Sequence, residues 1–228
     1  MPDNRMPDEP DEHDGEDTAG QQAPESPSPS DSRPPLTLSE FLISAGIFEG
    51  ILLLIAFAGG WLAGVNPTAL LSWSNQDLIF GCLATLPMLL VLAACYLSRA
   101  RGIVGIRTFL RDTIGPYLNE CRMIDLILLS LLAGVCEETL FRGFLYVWIE
   151  PFNPMLAILI CNLLFGIAHA ITPMYAMIAG LVGLYLTALM AADPTPNLLI
   201  PITAHSLYDF VAFLVVVSDY RRTHSSDP

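Results

Sequence analysis

The run LILLSLLAGVCEETLFRGFLYVWI, residues 126–149, sets two adjacent glutamates and an arginine among hydrocarbon side chains. Leucines lead up to Glu137 and Glu138, and aromatic and aliphatic residues follow Arg142. A helical stretch of this kind is long enough to cross a bilayer, whose hydrocarbon core takes roughly 20 residues. Each ionisable group costs on the order of 2–3 kcal/mol or more if it faces lipid. These groups must therefore turn inward and meet partners.

The rest of the chain supports a membrane reading. Of 228 residues, 53% are hydrophobic and only 14% charged, with a mean hydropathy of +0.53, which is too apolar for an ordinary soluble domain. Six apolar stretches are candidate spans: about 40–64, 76–98, 123–149, 154–171, 174–192 and 197–217. All are expected to be helices, because an open strand edge in lipid leaves backbone groups unpaired. The expected fold is an all-α polytopic membrane bundle of about six transmembrane helices, the last four forming a core. Pro87 and Pro201 are expected to kink the second and sixth spans. Ala176 with Gly180, and Gly183 with Thr187, put small residues four apart on the fifth span, which permits close helix contact.

Charge is unevenly distributed. Residues 1–35 hold ten Asp and Glu against Arg5 and Arg33, so this segment carries −8 of the net −13. It lacks apolar periodicity and reads as a disordered acidic tail. It has neither a basic n-region nor an apolar h-region, so it does not read as a signal peptide. Its acidity argues against nucleic-acid binding. Arg99, Arg101, Arg107, Arg111 and Arg122 lie between the second and third spans, and Arg221 and Arg222 follow the sixth. The loops on the other side contain no basic residue. The positive-inside rule then places both termini in the cytoplasm, with the cell (inner) membrane as the expected location. Residues 103–114 read as a short amphipathic helix at the cytoplasmic interface. The domain reading is a tail at 1–35, two spans and the interfacial helix at 36–120, a membrane core at 121–217 and a C-terminal tail at 218–228.

Ionisable groups recur on three spans: Glu137, Glu138 and Arg142 on the third, His169 near the end of the fourth, His205 and Asp209 on the sixth. Glu138 and Arg142, four apart, share a helix face and can pair. At about 100° per residue Glu137 points roughly 140° away from Arg142 and is left available for other work. His205 and Asp209 are again four apart, and Phe165 sits one turn before His169. Glu49, on the first span, stands alone in this reading. The five cysteines show no C-x-x-C spacing, and Cys136, beside Glu137, reads as a packing residue. Interhelical clamps explain any one of the ionisable residues, but a stability clamp needs two partners, whereas this set spans three helices. A carboxylate with two imidazoles can deprotonate water and stabilise an oxyanion. It is also a metal-ligand set, with Glu137, His169 and His205 as the ligands of a zinc ion.

Together these residues resemble the CPBP family of intramembrane proteases, which includes CAAX prenyl endopeptidases and bacteriocin-immunity relatives. The family's Glu-Glu-x-x-x-Arg motif matches Glu137, Glu138 and Arg142; Phe-x-x-x-His matches Phe165 and His169; His-x-x-x-Asn/Asp matches His205 and Asp209. The resemblance covers roughly residues 121–217. It implies that Glu137 with His169 activates a water, that His205 and Asp209 support the oxyanion, and that Glu138 with Arg142 braces the site or holds substrate. No H-E-x-x-H helix is present, so a glutamate mechanism is favoured over a zinc one. The expected function is hydrolysis of peptide bonds in membrane-associated proteins or peptides, at a site open toward the cytoplasm. The alternatives are a non-catalytic scaffold or bacteriocin self-immunity protein that retains the motif, or a proton-coupled transporter. The transporter is disfavoured by the small core and the lack of an inverted repeat.

Overall fold

The computed structural model describes residues 36–191 and 195–224. The acidic segment 1–35 lies outside the described residues, and so do 192–194 and 225–228. Every regular element among the described residues is helical.

Helix α1 (Leu38–Ala63) begins at Thr37, whose hydroxyl accepts from the Glu40 amide while Glu40 reaches back to the Thr37 N–H. It ends at Gly64, where φ is 70°, a left-handed backbone that a side chain would strain. Ser74 caps α2 (Asn75–Leu97) by accepting from the Asp77 amide. The polar stretch that follows folds into α3 (Arg101–Thr113) and a short α4 (Gly115–Glu120). Next comes one unbroken helical run: α5 (Met123–Glu138), a π-helical segment (Thr139–Tyr146) and α6 (Val147–Ile149). Helix α7 (Pro154–Ala168) starts with Asn153 as its cap and a proline in its first turn, where no amide is needed. Helices α8 (Pro173–Ala191) and α9 (Leu199–His224) complete the chain.

Helices α1, α2, α8 and α9 are each long and apolar enough to cross a membrane, with mean hydropathy of 1.8 to 2.4 in their most apolar windows. The run 123–149 adds a fifth apolar rod. Helix α7, with 15 residues, is shorter. At 1.5 Å per residue it reaches roughly 22 Å, less than the ~30 Å of a hydrocarbon core. Burial is inverted relative to a soluble protein: Trp61, Leu62 and Leu97 are about four-fifths exposed, whereas Glu138 and Arg142 are completely covered. Apolar surface outside and charge inside is the arrangement a bilayer demands, and the protein is a multi-pass membrane bundle.

Helix α9 lies at the centre, packed on α2, α3, α4, α5 and α8, while α7 pairs with α8 and α1 lies along α5 and the π-helical segment. At one end of the bundle the ring of Phe41 stacks on Tyr117 at 4.9 Å, and Arg221 donates to Asn119 at 2.6 Å. The start of α1, the end of α9 and α4 therefore meet at the arginine-bearing end.

Four features differ from the sequence reading. The third span is not α-helical throughout, because residues 139–146 widen into a π-helix. Pro201 falls in the first turn of α9 instead of its interior, so it displaces no intrahelical hydrogen bond and gives no reason for a kink. Residues 218–224 continue α9, whose last turn carries Arg221 and Arg222 at the end where cations are favoured. Asp209, in the second half of the stretch read as 197–217, consequently falls in the first half of α9.

Candidate active site

Arg142 organises the interior. Its Nη1 donates to Glu138 Oε1 at 3.0 Å, and both side chains are wholly buried. Its Nη2 donates to the Gly183 carbonyl at 2.6 Å and to Asn162 Oδ1 at 3.2 Å, and its Nε to Thr187 Oγ1 at 3.3 Å. The guanidinium also lies over the Phe165 ring at 4.6 Å. Four acceptors and an aromatic face satisfy a cation that lipid would not tolerate. Small residues make the room. A side chain at Gly183 would come within about 3 Å of Asn162 and Arg142, and one at Gly143 would collide with the Pro67 carbonyl. The π-helical segment starts right after Glu138 and carries Arg142, a placement such segments often take at functional sites.

Glu138 does more than pair with Arg142. The same Oε1 accepts from His205 Nδ1 at 2.9 Å, tying α5 to α9 across 67 residues of sequence. With Nδ1 engaged, His205 presents Nε2 to Asp209 Oδ2 at 3.4 Å. The Glu138–His205–Asp209 line is thus continuous, and Phe165 meets the His205 ring edge-on at 5.9 Å.

Glu137 is buried without any such partner. Its Oε2 makes no hydrogen bond, and His169 Nε2 lies 3.6 Å from it. His169 caps the C-terminus of α7, where its Nδ1 donates to the Phe165 carbonyl at 2.9 Å while its ring stacks on Phe165 at 4.6 Å. That bond assigns the proton to Nδ1 and leaves Nε2 as a lone-pair acceptor. With α7 ending at Ala168, this acceptor is turned toward Glu137 on α5.

The structure thus brings together Glu137, Glu138, Arg142, His169, His205 and Asp209. Asn162, Gly183 and Thr187 were not foreseen as site residues. They bear no charge, so in an apolar helix they give no signal until a buried cation is seen against them. Glu49 does not stand alone: it is buried, and the charges of Glu137, Asp209 and His205 act on it. Cys136 is packed out of solvent. The zinc set Glu137, His169 and His205 does not fit a metal ion. Both ring nitrogens of His205 face other carboxylates, and no three His, Cys, Asp or Glu side chains among the described residues are placed to hold one. Beside Asp209, an apolar cavity of about 210 Å³ runs toward the arginine-bearing end, lined among others by Leu92, Ile106, Tyr175, Tyr208 and Phe213.

Residues 119–211, which include all seven motif residues, match the family model described as Type II CAAX prenyl endopeptidase Rce1-like. No curated protein and no solved structure matches the chain.

Proposed function

We propose, from the match of residues 119–211 to the Rce1-like family of type II CAAX prenyl endopeptidases and from the site geometry, that the protein is an intramembrane endopeptidase of the glutamate type. The observation that carries this reading is the pair Glu137 Oε2, buried and unpartnered, and His169 Nε2, half-buried, which lie 3.6 Å apart and are both acceptors. A group that satisfies two facing acceptors must donate two hydrogens, and water does so while turning its own lone pair outward. Glu137 takes a proton from that water as its oxygen attacks the peptide carbonyl, then hands the proton to the departing amine. His169 holds the water's second hydrogen. A proton held between His205 Nε2 and the Asp209 carboxyl supplies the hydrogen bond for the developing oxyanion. Glu138 fixes the His205 tautomer, and Arg142 holds Glu138.

The substrates are membrane-associated proteins or peptides, with a prenylated CAAX terminus as the family's own instance. The apolar cavity beside Asp209 suits a hydrocarbon chain brought to the peptide bond from the arginine-bearing end. By the distribution of arginine that end is cytoplasmic, with both termini on the same side of the cell membrane.

The test is cleavage of a quenched fluorescent peptide ending in a farnesylated C-a-a-X sequence, by purified protein in detergent. Glu137→Gln keeps the side chain's shape but cannot accept the proton, so the rate falls by about a hundredfold or more at unchanged folded yield. Comparing membrane peptides from cells carrying wild type or Glu137→Gln identifies natural substrates. A Glu137→Gln protein that matches wild type in both experiments refutes hydrolysis and favours a scaffold or immunity role.

A further inference from the structure

Helix α1 lies outside the family-matched segment, yet one of its faces reaches the site. Leu52 and Ala56 pack with Leu140, Phe141 and Phe144, and Glu49 continues that face one turn earlier. Its position is therefore level with the end of α5, which carries Cys136 and Glu137. Glu49 is nine-tenths buried, and its Oε2, like that of Glu137, has no hydrogen-bond partner. The titratable groups that act on it are Glu137 and Cys136 from α5, and His205 and Asp209 from α9.

Two carboxyls buried at one level of the bundle, each with an unpartnered oxygen, ionise one at a time when they are close, because each charge opposes the other. The protonated member is then a donor and the ionised member an acceptor, which serves both unpartnered oxygens directly or through one water. We propose that Glu49 is a positioning residue of the same site: it shares one proton with Glu137, and by keeping that proton it leaves Glu137 ionised to act as the base. This rests on Glu137 being the base, as in the function proposed above. In the hydrolytic step water loses a proton to Glu137 as its oxygen bonds the carbonyl carbon. Glu137 returns that proton to nitrogen as the C–N bond breaks, and Glu49 retains its own throughout.

Two measurements test the pair. Infrared spectra of the purified protein in detergent, recorded at neutral pH, carry the C=O band of a protonated carboxyl in wild type and lose it in Glu49→Gln. A band unchanged by Glu49→Gln overturns the proposal without reference to any substrate. In the farnesyl-peptide assay, Glu49→Gln still offers an N–H and loses no more than about threefold, whereas Glu49→Met removes the donor and loses roughly tenfold to a hundredfold at neutral pH. The Met variant regains rate as pH rises, because Glu137 then ionises unaided, while a merely structural role would not move the profile. Wild-type behaviour of Glu49→Met, or equal impairment of both variants at every pH, overturns the pair. An inactive Glu137→Gln beside a normal Glu49→Met sinks the carboxyl pair alone, whereas an active Glu137→Gln sinks the hydrolytic reading beneath it.

Discussion

Glu138→Gln separates the two adjacent glutamates, because the change removes a charge and almost nothing else. The amide oxygen can occupy the place of Oε1 and still accept from Arg142 and His205, now at 3.0 and 2.9 Å. The negative charge is gone, and Arg142 remains in a site with no exposure. Stripping one partner from a buried ion pair costs about 3–5 kcal/mol. Arg142 keeps three neutral acceptors on Asn162, Gly183 and Thr187, which holds the expected loss near the lower end, ~3 kcal/mol. For a chain of this size that corresponds to a fall in Tm of about 6–12 °C, read by size-exclusion chromatography of heated, detergent-solubilised protein. Glu137→Gln is the control. Its carboxyl has no hydrogen-bonded partner at Oε2, so its Tm stays at or above wild type. Adding Arg142→Met to Glu138→Gln recovers part of the loss, since no buried charge is then left uncompensated. A Glu138→Gln protein that melts with wild type would falsify the idea that its charge holds Arg142 in place.

Gly183→Val forces a branched side chain against Asn162 and the Arg142 guanidinium; folded yield and Tm drop at least as far as in Glu138→Gln, and a wild-type melt would mean that α8 can retreat from α7. Purified active protein carries substoichiometric zinc and keeps its rate after chelation in matched detergent; one tightly held metal per chain, with activity lost on stripping and restored on refilling, would establish the metalloprotease alternative. Removing residues 1–35 leaves membrane insertion and peptide cleavage intact, and loss of cleavage in the truncated protein would make the tail part of the machinery.

The helical bundle was legible because a bilayer imposes one-dimensional rules. Apolar runs of spanning length must be helices, and their order along the chain is all that is needed to count them. The spans read at 40–64 and 76–98 reappear as Leu38–Ala63 and Asn75–Leu97, bounded by caps that are themselves local: Thr37 with Glu40, and Gly64. The Glu138–Arg142 pair was legible for the same reason, since a four-residue spacing is a local property of a helix. What could not be read is whatever depends on how deep each helix sits and how it is rotated. Glu138 and His205 meet because α5 and α9 pack at one depth, and no spacing of 67 residues encodes that. His169 reaches Glu137 because the C-terminal end of α7 packs beside the end of α5. Asn162 and Thr187 acquire a role only when Arg142 is placed between α7 and α8. The sequence by itself determined which residues were too costly to leave in lipid. Only the tertiary structure decided which of them were satisfied, Arg142 fully, and which, Glu137 and Glu49, were left with an oxygen unpaired, because pairing across helices is settled by packing and not by periodicity.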